Sequence, residues 1–319
     1  MEKRLYNALQ VRFVKLRFSI VFSDDCILPK DKVSILRKGI ESTLFRMNCI
    51  CDRRCKACDF AAECIVQRAI YSRFEIKPDF ATTSEHVGYL LECGNYQEDF
   101  KADEKLDFHL ILFGKTIVYF HQFYQALTVL GKQEGIGPRH AKFHIIGIRN
   151  MEGMSVLKRK KIDMSEYVVH MLYDYIMFRK MWIGAISEKK EVVMTFDTPV
   201  ILKHQSESLW KFQTEAMLSA IRQRIHLLNC FEGIESDILY PIEGASVPRT
   251  LYQEHHMVDV SRYSIQKNEE KTLKGLKGHM LLTGLTEDVL SLLLVGELIH
   301  LGIDTGSGFG KFHLEFVDN

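Results

Sequence analysis

The sequence predicts an α+β protein in which one β-α-β-β-α-β unit is used twice. Three observations predict it. The chain has 319 residues, 46% hydrophobic and 26% charged, which allows two ordinary domains with buried cores and argues against disorder. Leu110 to Ile146 and His279 to Glu315 then repeat one arrangement: a strand ending in Gly114 or Gly284, a helix, a glycine-containing loop, and a strand opening Lys-Phe-His at Lys142 or Lys311. The glycines are 170 positions apart (284 − 114) and the lysines 169 apart (311 − 142). One residue of drift over that length marks a duplicated unit. Finally, the stretches upstream of both copies supply the same missing strand, helix and strand.

In order, Phe13 to Phe22 (FVKLRFSIVF) alternates apolar Val14, Leu16, Phe18, Ile20 and Phe22 with Lys15, Arg17 and Ser19, the period of a half-buried strand. Asp31 to Met47 reads as a helix. Strands near His86 to Cys93 and Leu106 to Phe113 follow, then a Thr116 to Leu130 helix and a Lys142 to Ile148 strand. In the second copy, Glu191 to Phe196 is a strand. Glu207 to Asn229 reads as one long helix, with Trp210, Met217, Leu218, Ile221, Ile225 and Leu228 on one stripe. His256 to Ser264 and Gly278 to Thr283 are strands. Thr286 can cap the next helix, with Glu287 and Asp288 suiting its dipole. This is the ferredoxin-like order, twice. The expected divisions are 1–150, a connecting segment 151–190, and 191–319. Trp182 and Trp210 are expected in packing.

The stretch Gly302 to Phe316 (GIDTGSGFGKFHLEF) places Gly302, Gly306, Gly308 and Gly310 between a helix and a strand. Phosphate loops of nucleotide enzymes run strand, glycines, helix. Here the order is reversed and the Walker spacing fails, so an ATP or NAD site is excluded. Five of the eight cysteines lie between Cys49 and Cys64: Cys49, Cys51, Cys55, Cys58 and Cys64. Thiols this dense in a loop suit a tetrahedral Zn²⁺ or, less well, an Fe–S cluster. Lys+Arg 42 against Asp+Glu 41 leaves a net charge of +1, so a general nucleic-acid coater is excluded while a local patch is not. Lys158 to Lys161 is one basic run; Arg262, Lys267, Lys271, Lys274 and Lys277 form another stretch. Met1 to Gln10 has no signal-peptide character. Val168 to Ile186, the most apolar long segment, carries His170, Asp174, Arg179 and Lys180, too polar for a membrane span. A cytoplasmic protein is expected.

Together, GELIHLGIDTGSGFGKF, SRYSIQKNEEKTLKGLKGHM, TFDTPVILK, RQRIHLLNC and NCICDRRCKACDFAAECIVQRAIYSRFE resemble the RAMP superfamily of CRISPR proteins. The closer resemblance is to the CRISPR-associated pre-crRNA processing endoribonucleases. It covers most of the chain and is weakest over about residues 150–190.

The resemblance implies two tandem ferredoxin-like RAMP domains and cleavage of CRISPR repeat RNA without a catalytic metal. The 2′-hydroxyl attacks phosphorus, giving a 2′,3′-cyclic phosphate and a 5′-hydroxyl. It implies repeat RNA and crRNA as partners, effector-complex subunits as further ones, no membrane, and a monomer or homodimer. For the cysteines it favours Cys49, Cys55, Cys58 and Cys64 as ligands of a structural metal, with Cys51 the rival first ligand. Members often carry a histidine in or near the first helix; this chain has none before His86, and Lys30, Lys32, Arg37 and Lys38 stand there instead. Three alternatives follow: the site lies elsewhere, or lysines there stabilise the transition state without a histidine base, or the protein is weakly active or inactive. For a site elsewhere, the catalytic candidates are His300, Lys267, Arg262 and Tyr263. The RNA-binding candidates are Gly302, Gly306, Gly308, Gly310, Lys311, Ser264 and Lys274. His144 and His313 recur in the repeated strand and read as structural. A non-catalytic crRNA-binding RAMP subunit, and a metal-containing interaction or redox module, are the competing readings.

Overall fold

The computed structural model describes residues 3–52, 54–78, 80, 86–183, 191–204, 207–239, 247–264 and 269–317. They form two compact units. One comprises residues 13–74 and 82–169; the other comprises 1–12, 75–81 and 170–319.

The first unit is built from β1 (Arg12–Phe22), α1 (Lys32–Asn48), β2 (Tyr89–Glu92), β3 (Lys105–Phe113), α2 (Phe120–Val129) and β4 (Phe143–Arg149). The antiparallel sheet runs β2-β3-β1-β4. The alternation of β1 becomes burial: Val14, Leu16, Phe18 and Ile20 are fully buried, and Phe18 stacks on Phe108 at 5.4 Å between ring centroids. Asp31 caps α1, accepting from Val33 N at 3.0 Å and Ser34 N at 3.3 Å, a contact worth about 1 kcal/mol. A 3₁₀ turn, Gly114–Tyr119, precedes α2. Two first-helix cations prove to be internal. Lys32 is 1% exposed and hydrogen-bonds the Gln97 carbonyl, while Arg37 is 9% exposed and donates to Glu41 at 2.9 Å.

The second unit repeats the plan with β5 (Glu191–Phe196), α3 (Thr214–Glu232), β6 (Arg249–Ser264), β7 (Glu269–Thr283), α4 (Glu287–Ile299) and β8 (Phe312–Val317). Its sheet order is β6-β7-β5-β8, antiparallel throughout. Both sheets thus share the ferredoxin-like order, and the α+β expectation holds. Thr286 caps α4 through Val289 N at 3.4 Å. A helix over Leu172–Ile183 is joined to this unit by Arg179, which grips Glu297 with two bonds of 2.8 and 3.0 Å. Glu297 also accepts from Leu314 N at 2.8 Å, so its buried charge is fully engaged, as a buried carboxylate requires. The N-terminal segment belongs here because Asn229 donates to the Ala8 carbonyl at 2.9 Å and Leu172 N to the Val11 carbonyl at 3.0 Å.

Three expectations change. Helix α3 starts at Thr214 rather than 207, because Glu207–Ser208 pair with Lys203–His204 as a short ladder. Trp210 falls before the helix and is 64% exposed, and Trp182 is 74% exposed, so neither is a core residue. The two short strands are the ends of a long hairpin: β5 pairs only with residues 279–283 of β7, and β6 and β7 continue past the sheet as a two-stranded ribbon. Among the described residues no helix is long and apolar enough to cross a membrane.

Candidate nucleic-acid interface and cysteine site

The Gly-rich loop is a tightly tied turn. α4 ends at Ile299, and His300 follows at φ 60°. Its side chain is fully buried, with Nδ1 3.2 Å from the Phe309 carbonyl. His300 therefore sits beneath the loop, held as part of the turn. Asp304, at φ 59°, enters a 3₁₀ turn over Thr305–Ser307, and Gly308 leaves it at φ 87°.

The glycines answer steric demands at two places. A Cβ on Gly310 (φ 72°) would stand 1.8 Å from the Leu301 carbonyl oxygen, and one on Gly302 (φ 91°) would stand 2.5 Å from that of Ile201. Several loop amides are already engaged. Ile303 N donates to Ile201 O at 2.9 Å, Gly310 N to Pro199 O at 2.9 Å, and Gly308 N to Thr305 O at 2.8 Å. Lys311 N donates to Thr198 Oγ1 at 2.9 Å, and that hydroxyl donates to Gly308 O at 2.8 Å. The glycines thus let loop and the 198–201 segment approach closely. Gly306 lies in the buried turn, and Lys311 at its half-buried exit into β8.

The second set of candidates lies on the β6–β7 ribbon. Lys274 is exposed and stands opposite Asp259. Arg262, Tyr263 and Ser264 occupy the last residues of β6, opposite Lys271, Glu270 and Glu269; their side chains lie outside the described set. Lys267 lies outside the described residues altogether. The Lys158 run is a short hairpin whose first lysine pairs with Asp163 at 2.8 Å and Glu166 at 3.1 Å. Those partners make it a solvated structural turn.

All five clustered cysteines line one cavity of about 230 Å³, closed by Phe60 and Tyr119 among others. A 3₁₀ turn over Cys55–Ala57 brings Cys58 within 3.1 Å of Cys51, sulfur to sulfur. That hydrogen bond is the first cause pushing the Cys51 thiol up to about 11, with burial second. The contact sets Cys51 beside Cys58, while the family resemblance favours Cys49 as the first ligand. Among the described residues, no three Cys, His, Asp or Glu side chains converge as a ready-made metal site. In donor chemistry and location the residues fit a thiolate-bound ion.

Sequence reasoning passed over the face of the C-terminal sheet opposite its helices. His279 and His313 both lie there, flanking Thr195 on β5. Asp197 accepts from His313 Nδ1 at 2.8 Å. The signal was available: His313 is one residue from buried Phe312 and Leu314, so strand period alone turns it outward.

Comparison with known proteins agrees with this geometry. A family model described as the CRISPR-associated endoribonuclease Cas6 matches residues 194–312, and an N-terminal-domain model, AF_1859_N, matches residues 9–168. No curated protein matches the chain. Among solved structures, a partial Cas6-RT-Cas1–Cas2 complex superposes with a TM-score of 0.58 at 12% identity, covering 96% of this chain. The chain spans 46% of that protein, and 29% of the one in a second Cas6-RT-Cas1–Cas2 complex, also at TM-score 0.58 and 12% identity. A Cas6 product complex superposes at 0.50 with 10% identity, covering 97% of this chain and 100% of its own. At these identities the structural likeness speaks for the fold. The doubled ferredoxin-like plan and the Gly-rich turn thus lie in a chain whose residues 194–312 match the Cas6 endoribonuclease model and whose residues 9–168 match AF_1859_N.

Proposed function

We propose that this chain is an endoribonuclease that cuts CRISPR repeat RNA and can retain the crRNA. The observation that carries the reading is the match of residues 194–312 to the CRISPR-associated endoribonuclease model. The substrate's own 2′-hydroxyl attacks the adjacent phosphorus, and the products are a 2′,3′-cyclic phosphate and a 5′-hydroxyl. Such chemistry asks the protein for a base, an acid and cations near the phosphorane, and no metal. Lys274 and Lys311, with Arg262, Tyr263, Ser264 and Lys267, supply RNA-backbone contacts, which position the strand. The Gly-rich turn acts as a rigid floor beneath Lys311.

The cysteine cavity would hold a structural Zn²⁺ through four of Cys49, Cys51, Cys55, Cys58 and Cys64. Its contribution is to fold an insert with few apolar contacts of its own. Partners beyond the RNA would be other CRISPR-associated subunits, in keeping with the complexes in which structural relatives occur.

A second reading, a crRNA-holding subunit without cleavage, is favoured by the burial of His300 and the absence of a histidine before His86. One assay separates the two. Repeat RNA transcribed from the host's CRISPR array is incubated with the protein in EDTA, and product ends are mapped. Cleavage at one position with a cyclic phosphate on the 5′ fragment supports the endoribonuclease. Tight binding without cleavage supports the holding subunit.

A further inference from the structure

Among the described residues, the helices of the C-terminal unit pack on one face of its sheet. Val192, Met194, Met280, Leu282, Phe312 and Leu314 face the helices and are at most 5% exposed. Strand alternation puts their neighbours on the other side. There, Thr195 stands opposite His279 on β7 and opposite His313 on β8, while Glu254 on β6 stands opposite His279. A row Glu254–His279–Thr195–His313 therefore crosses all four strands. His279 and Thr195 are half-buried, and the His313 side chain is 42% exposed, so the row is accessible.

Each histidine has a neighbour that orients it. Asp197 accepts from His313 Nδ1 at 2.8 Å, and Nε2 lies 3.6 Å from Glu315. A carboxylate accepting from one ring nitrogen fixes the orientation and tautomer of the imidazole. The His279 ring lies 5.9 Å from that of Tyr252. One strand, β5, separates the histidines, so their Cα atoms are two strand spacings, roughly 10 Å, apart. Two imidazole side chains can span that gap and bracket one phosphodiester from its two ends, with the Thr195 hydroxyl between them. Other charged groups on this face are His256 and Arg249 on β6, Lys277 on β7 and Glu191 on β5, among the described residues.

The duplicated unit provides a contrast. His109 is the counterpart of His279, again 170 positions earlier (279 − 109). Its row reads Glu92–His109–Arg17–Arg149. The carboxylate and first histidine recur, but arginines stand in the row where the C-terminal one has Thr195 and His313. His144, the sequence counterpart of His313, pairs with Val21 instead, so two histidines share one row in the C-terminal sheet and not in the other.

We propose that His279 and His313 are the acid–base pair of RNA cleavage, bracketing the scissile phosphate over Thr195; the proposal rests on the endoribonuclease reading above. His279 takes the proton from the 2′-hydroxyl as the O2′–P bond forms. The P–O5′ bond breaks, and imidazolium His313 gives its proton to the departing 5′-oxygen. The products are the 2′,3′-cyclic phosphate and the 5′-hydroxyl. One proton enters His279 and one leaves His313, and solvent exchange resets both. No oxidant, reductant or metal is required.

The test uses repeat RNA from the host's array in single-turnover cleavage, with ordinary linkages or with sulfur replacing the 5′-bridging oxygen at the cut. A thiolate leaves without an acid. His279→Ala and His313→Ala should each slow the ordinary substrate by ~10²–10⁴-fold with RNA affinity and Tm retained. The sulfur substrate should restore His313→Ala to within ~10-fold of wild type and leave His279→Ala slow. A merely structural histidine would show no such split. His279→Gln and His313→Asn repeat the test in a better-packed background should the alanine variants unfold. Wild-type cleavage with folded variants within ~3-fold of it would overturn the pair and leave the endoribonuclease reading standing. Failure of the wild type to cut any repeat RNA would overturn both.

Discussion

At the residue scale, Gly310 and His300 show how one loop can advertise a site and be a scaffold. Gly310 has a left-handed φ of 72°, and any Cβ would meet the Leu301 carbonyl at 1.8 Å. Gly310→Ala should therefore cost roughly 3 kcal/mol of stability, read as a fall in Tm; an unchanged Tm would contradict the packed turn. His300 is fully buried against the Phe309 carbonyl. His300→Ala should lower Tm while the folded protein keeps its single-turnover rate. A large loss of rate at unchanged Tm would return His300 to catalysis. The sequence made His300 attractive because it precedes Gly302, yet its neighbours Ile299 and Leu301 are both fully buried. An apolar residue on each side at a helix end was the available sign of burial. His313 carried the opposite sign and was set aside because its strand opening recurs at His144.

At the scale of elements, regular period was legible and irregular pairing was not. β1, α1 and β5 follow their alternation or capping signals to within a residue or two. α3 was begun seven residues too early because Trp210 lies on the helical stripe by coincidence of spacing, while the actual chain before it pairs 203–204 with 207–208. The β6–β7 ribbon was read short because its outer part packs against no helix, so no apolar alternation marks it. That ribbon invites removal. Replacing residues 259–274 by an Asn-Gly turn spares the sheet pairing of 279–283 and the Val200–Leu276 bridge. Tm should change little and repeat-RNA affinity should fall at least ~10-fold, since several phosphate-contacting cations go with it. Unchanged affinity would exclude the ribbon from the interface. In the cysteine insert, Cys51→Ser or Cys58→Ser should lower zinc per chain, measured by mass spectrometry of the purified protein. Full zinc content in both variants would rule out the cavity as the metal site.

For the whole molecule, the duplicated plan explains why the fold was readable: two copies of one element order constrain each other, and both sheets take the same strand order. The division of the chain was less so, because residues 1–12 and 75–81 group with the C-terminal unit through backbone bonds such as Glu75 N to Cys230 O at 3.1 Å. Contacts so distant in sequence leave no local pattern. The site is harder still. Its proposed acid and base come from different strands, and only the register of three antiparallel strands sets them on either side of Thr195. The central claim is that the nucleophile belongs to the RNA. The direct measurement is cleavage of repeat RNA carrying one 2′-deoxy nucleotide immediately 5′ of the cut, with binding measured on the same molecule. The account predicts that cleavage is abolished while affinity stays within ~3-fold of the all-ribose RNA, since one 2′-hydroxyl among many contacts is lost. Cleavage of the deoxy substrate at the same position, or an absolute need for Mg²⁺, would contradict it.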